Sequence, residues 1–297
     1  MLVNQAALQG IYKSFKTIFN QAFGATSPVY TKIATEVPSG TRSEEYKWLG
    51  KLPRMREWIG DRVIQNLGAH EYTIKNKDWE LTVGVDRNDI EDDTIGVYRP
   101  LVESLSVSAA THPDDLVISL FHLGFSAKCY DGQPFFADEH QDGNETPQSN
   151  KGTKKLSPTS YAAARAALMS LKDEAGNSLK IVPNLLVVSP ANEEMGRKIL
   201  MNEYMANGEN NPWKGTAELL VLPELSANPD EWFLLDTSKP IKPFIFQKRK
   251  APEFVAMDSP NDPNVFIKRE FIYGVDSRDN AGFGLWHLAY GSTGATA

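Results

Sequence analysis

The chain has 297 residues, 41% of them hydrophobic and 10% aromatic, enough to bury one large core or two ordinary ones. Its net charge of -7 and pI near 5.4 argue against nucleic-acid binding by the surface as a whole, which needs many neutralised phosphates, and leave only a local basic patch for such contact. A single cysteine, Cys129, excludes an internal disulfide and a thiolate zinc cluster, and no apolar run approaches the roughly 20 residues of a membrane-spanning helix.

The first 35 residues carry Lys13, Lys16 and Lys32 and no acid, and Leu8, Ile11, Phe15, Ile18, Phe19 and Phe23 recur at helical spacing. This predicts an amphipathic helix with Asn4 as cap and Gly24 as stop, either an arm under a neighbouring subunit or the first helix of the core. The N-terminus has no charged region followed by an apolar core and cleavage site, so no export signal is expected.

The stretch from Tyr46 to Asp93 holds three of the six tryptophans, Trp48, Trp58 and Trp79, without a helical period to bury them. Alternation in Glu71–Lys75 and in Trp79, Leu81, Val83 and Val85 predicts a hairpin turning at Asn76-Lys77. A hairpin alone in water is marginal, so the stretch should lie on its own chain or on a neighbour. Its charge is sorted: Lys47, Lys51, Arg54 and Arg56 are basic, whereas Asp86, Asp89, Glu91, Asp92 and Asp93 are acidic with only Arg87 among them. Such ends can pair between subunits, or simply form a solvated surface.

A long helix is expected from Tyr98 to Gly124, kinked at Pro113 or divided into two helices meeting at Thr111. Cys129, Asp138 and His140 invite a nucleophilic reading, and Asp131, Asp138, Glu139 and His140 a metal site. No recognised catalytic spacing supports either, and the alternative is a turn at Asp131-Gly132, buried Phe135 and Phe136, and an exposed acidic loop. Gln141–Lys155 reads as surface loop. Ser157-Pro158 starts a helix that Gly176 should end, Ile181–Val188 is a buried strand, and Pro190 opens another helix, a mixed α/β alternation. Leu219–Leu222 and Trp232–Leu235 read as further strands. From Pro240 extended segments take over, including Phe244–Phe246, Val265, Ile267, Phe271, Tyr273 and Val275, with Arg278–Gly282 as a hairpin loop and Thr293–Ala297 as a disordered tail. Phosphate-loop, HExxH, GxSxG and zinc-ligand patterns are absent from the sequence.

Taken together, YKWLG, LPRMREWIGDR, NDIEDD, AATHPDDLV, CYDGQPFF, PNLLVVSP and GVDSRDNAGFGLW resemble the Mu-like phage or prophage major head subunit family, in family order from Leu2 to about Gly291. The resemblance implies an α+β chain with the Hong Kong 97-type capsid fold. It implies an N-terminal arm (1–45), an extended loop over a neighbour (46–93), a peripheral domain with a spine helix (94–127), an axial domain (128–238), returning peripheral strands (239–291) and a tail (292–297). The implied function is the major capsid protein of a tailed phage or prophage: pentamers and hexamers closing into an icosahedral shell around double-stranded DNA in the host cytoplasm. It is non-enzymatic and takes no cofactor or metal. The same fold enclosing a protein cargo is the alternative, and a cysteine-dependent hydrolase the reading from another class. Implied partners are further copies of the chain, a separate scaffolding protein, a portal, a maturation protease and packaged DNA touched non-specifically at the inner face, with no membrane. Expected intersubunit contacts are Trp48, Trp58 and Trp79 as apolar anchors, and Arg54, Arg56 and Arg62 facing Glu91, Asp92 and Asp93.

Overall fold

The computed structural model describes residues 5–47, 49, 72–92, 95–141, 146–173, 176–205 and 208–296. Trp48, Arg54, Arg56, Trp58, Arg62 and Asp93 lie outside the described residues.

Helix α1 (Gln5–Ala25) turns Leu8, Ile11, Phe15 and Phe19 inward, as its spacing predicts. Helix α2 (Tyr30–Ile33) and strands β1 (Ala34–Pro38) and β2 (Ser43–Glu45) follow, then β3 (Thr73–Lys75), β4 (Lys77–Asp86), the short helix α3 (Arg87–Glu91) and the long helix α4 (Arg99–Leu123). Next come β5 (Lys151–Lys154), α5 (Pro158–Met169), β6 (Leu185–Val188), α6 (Glu193–Leu200), β7 (Glu218–Val221) and β8 (Trp232–Leu235). The chain closes with β9 (Phe244–Met257), α7 (Pro263–Lys268), β10 (Glu270–Phe283) and β11 (Ala289–Thr296).

The strands form a four-stranded sheet in the order β1-β9-β10-β4, a five-stranded sheet β5-β11-β8-β6-β7, and the pair β2-β3. Two hydrophobic clusters sit beneath them. One gathers Phe121, Phe135, Phe136, Phe233, Phe244 and Trp286 with β6 and β8. The other packs α1 against α4 and the distal parts of β4, β9 and β10 through Phe15, Phe19, Leu105, Phe254 and Tyr273. Helix α4 belongs to both, giving Val102, Leu105 and Ala109 to one cluster and Val117, Ile118 and Phe121 to the other.

Several expectations are corrected. The predicted hairpin does not form: β3 pairs with β2, and β4 lies antiparallel along β10, Trp79 opposite Ser277. Asn76 is a buried corner between the two, its amide donating to Ser39 Oγ (2.8 Å) and Thr41 O (2.9 Å) while its carbonyl accepts from Gln247 Nε2 (2.7 Å). Of the two alternatives at Pro113 the division into two helices is excluded, since α4 is one helix with Pro113 inside it. A proline inside a helix removes a hydrogen bond and crowds the preceding turn, at about 3 kcal/mol; Pro113 is nevertheless buried in α4, and beside it Tyr30 N donates to Asp114 Oδ1 at 2.6 Å.

Helix α5 ends at Met169, before Gly176. Val265 and Ile267 lie in α7, not in a strand, and Arg278–Gly282 is the interior of β10, not a turn. Register shifts at Asp276/Arg278 and Arg278/Asp279 let β10 carry those polar residues. The supposed surface loop contains β5 and a fully buried Asn150, and residues 293–296 of the supposed disordered tail are the end of β11, which pairs with β5 and β8.

Candidate functional site

The residues read for chemistry converge only in part. Cys129 Sγ donates to Asp131 Oδ1 at 3.0 Å, and Asp131 Oδ2 lies 2.6 Å from His140 Nδ1. The other ring nitrogen of His140 lies 3.2 Å from Phe135 O and 3.1 Å from Asn150 Oδ1. Trp286 stacks on the ring at 4.0 Å. Asp138 and Glu139 are exposed, and Asp138 faces Ser149 and Lys151 instead. Burial and the Asp131 charge push the Cys129 thiol far above its ordinary range, the reverse of what a nucleophile needs. Burial would raise Asp131, yet hydrogen bonds from His140 and Cys129 hold it below the usual carboxylate range. The ligand atoms of Cys129, Asp131 and His140 lie within 4.8 Å of one another, and hydrogen bonds already join them.

Sequence reading missed Asn150, which knots this cluster to the chain's end. Its amide donates to Phe135 O (2.8 Å), Trp286 O (3.2 Å) and Ala289 O (3.1 Å), and its carbonyl accepts from Ala137 N (2.9 Å). The arrangement is a fully paired polar core, suited to holding segments together.

Of the expected contact residues, Trp79 stands half-buried on its own chain. Its ring lies 4.6 Å from that of His112 on α4, and its indole N–H donates to Asp279 O at 3.3 Å. His112 Nε2 is 3.3 Å from the buried carboxylate of Asp279. Beside this contact a pocket of about 160 Å³ opens between α4 and the sheet. The acidic run is partly engaged locally: Asp86 caps α3, Tyr98 donates to Asp89, and Glu91 pairs with Arg87 at 2.8 Å. Asp92 is exposed.

At the far end of the β9–β10 pair, α7 carries Phe266, 89% exposed, and Ile267, 74% exposed. No helix among the described residues is long and apolar enough to cross a membrane.

A long helix shared by two cores, a long β pair at one end, a mixed sheet at the other and apolar side chains left in solvent describe a subunit of the phage-capsid type. Solved structures bear this out. The chain is similar to one in the procapsid of bacteriophage JBD30, with 32% identity, 98% of this chain and 76% of that one covered, and a TM-score of 0.65. It is also similar to a chain of the JBD30 capsid decorated with minor capsid protein trimers, with 29% identity, coverage of 68% and 92%, and a TM-score of 0.58. The major capsid protein of Escherichia phage Mu is 32% identical over 97% of this chain and 74% of its own length. The Mu-like prophage FluMu major head subunit of Haemophilus influenzae is 33% identical over 97% and 73%. The family model for the Mu-like prophage major head subunit gpT matches residues 8–155, 149–225 and 226–296. The chain belongs to that family.

Proposed function

We propose that the chain is the repeating subunit of an icosahedral head, assembling as pentamers and hexamers and enclosing double-stranded DNA. The observation that carries this reading is the match to the head-subunit family along almost the whole chain. Residues 94–127 and 239–291 act as the peripheral domain, with α4 as its spine, and residues 128–238 as the axial domain around capsomer axes. Residues 1–45 are the arm and 46–93 the loop that reaches a neighbour.

Assembly rests on many interfaces of moderate size, each on the order of 1,600 Å², reinforced because each subunit engages several neighbours at once. Trp48, Trp58 and Trp79 supply apolar anchors, and Arg54, Arg56 and Arg62 face Glu91, Asp92 and Asp93 of a neighbour. A separate scaffolding protein, a portal and a maturation protease complete the pathway in the host cytoplasm, and DNA contacts the inner face without sequence preference. The subunit works as a building block and not as an enzyme, in keeping with the protonated, inaccessible thiol of Cys129.

The test is charge reversal, Arg54→Glu with Arg56→Glu. The double variant should stay folded by circular dichroism and fail to close shells; normal particles in the electron microscope would remove these arginines from the assembly contacts.

A further inference from the structure

Two features of the chain fit each other and not themselves. The first is the knob on α7. Asn264 and Val265 are buried, and the Asn264 amide donates to Met257 O (3.1 Å) and Glu270 O (2.7 Å), which clamps the helix between the ends of β9 and β10. That clamp leaves Phe266 and Ile267 projecting into solvent, followed by exposed Lys268 and Arg269, for which no ion pair forms among the described residues.

The second is the pocket beside Trp79, lined by Leu81, Ala109, His112, Pro252 and Val275. It opens to solvent, includes the polar Ser108 and Ser277 in its wall, and holds about 160 Å³, roughly the volume that admits one benzene ring. Exposed Glu80 stands at its edge, likewise without an ion pair among the described residues.

The knob cannot fill the pocket of its own chain. Between Glu270 and Val275 the strand β10 advances five residues, roughly 17 Å at about 3.3 Å per residue, beyond the reach of a phenylalanine. We propose that Phe266 of one copy inserts into the Trp79 pocket of a second copy, with Lys268 and Arg269 approaching Glu80. This rests on the shell reading and names one of its contacts. The contact is heterologous, different patches meeting, so it propagates from copy to copy and closes only where symmetry closes it.

The test is cysteine cross-linking in assembled shells. Phe266→Cys is combined with Ser108→Cys, an exposed residue on the pocket wall, and native Cys129 remains because it is buried. Oxidised shells of the double variant should run as a ladder of dimers, trimers and larger species on a non-reducing gel, while each single variant stays monomeric. A second pair, Arg269→Cys with Glu80→Cys, should behave alike. Double-variant shells that give only monomers for both pairs would overturn the contact, as would equal linking by Phe266→Cys alone, which would mean that knob meets knob. Failure of the unsubstituted chain to form shells would overturn the shell reading itself, a separate outcome.

Discussion

Among single residues, the polar cluster around His140 shows what adjacency in sequence reveals and what it conceals. Cys129, Asp131 and His140 do meet, and all three lie within twelve residues of one another in the chain. The groups that give the cluster its meaning, Asn150 and Trp286, reach it across the fold, Asn150 bonding residues up to 139 positions away. No local pattern announces them, and Asp138 lost its assigned role because it is exposed and faces Ser149 and Lys151. His287 carries the sharpest consequence. Burial and the charge of His140 lower its pKa from 6.5 to about 3. The unfolded chain therefore takes up a proton below pH 6.5 that the folded chain refuses. The stability due to the neutral ring is complete above pH 6.5 and is lost as pH falls toward 3. In urea denaturation of the isolated subunit, His287→Gln should flatten the fall of unfolding free energy across that window by up to about 1.4 kcal/mol per pH unit. An unchanged slope would show that His287 does not carry the acid sensitivity.

For individual elements, helices α1, α4, α5 and α6 were legible, whereas α7 and the strand partners were not. Helix α1 follows from its apolar spacing, and α5 from Ser157-Pro158, where Ser157 Oγ accepts from Ser160 N at 3.1 Å and Ser160 Oγ accepts from Ser157 N at 2.9 Å. Such signals act within one turn of backbone. Ser157→Ala should lower stability by about 1 kcal/mol, read as a shifted urea midpoint with unchanged cooperativity; no shift would mean the box contributes nothing. Strand pairing is decided at long range. Asn76 reads as a turn residue until four hydrogen bonds to Ser39, Thr41, Arg42 and Gln247 make it a corner. Arg278–Gly282 has the composition of a loop, yet Asp279 is buried against His112 and Asn280 donates to Lys75 O, so the strand runs through. Turn-forming residues lost to tertiary partners in both places.

At the scale of the whole molecule, the alternation of helix and strand conveyed the mixed class, and the family motifs conveyed the fold. What no sequence period could convey is that α4 serves two cores at once, or that β4 forms an outer rail along β10 with Trp79 at its end. Those features leave α7 and the Trp79 pocket at separate places along the β9–β10–β4 sheet. The central claim is that copies of this chain build a closed shell, and electron microscopy of the purified protein, produced with and without the proposed scaffolding protein, tests it most directly. Closed particles of uniform diameter are the predicted result; a folded subunit that stays monomeric or gathers only into irregular aggregates would contradict it.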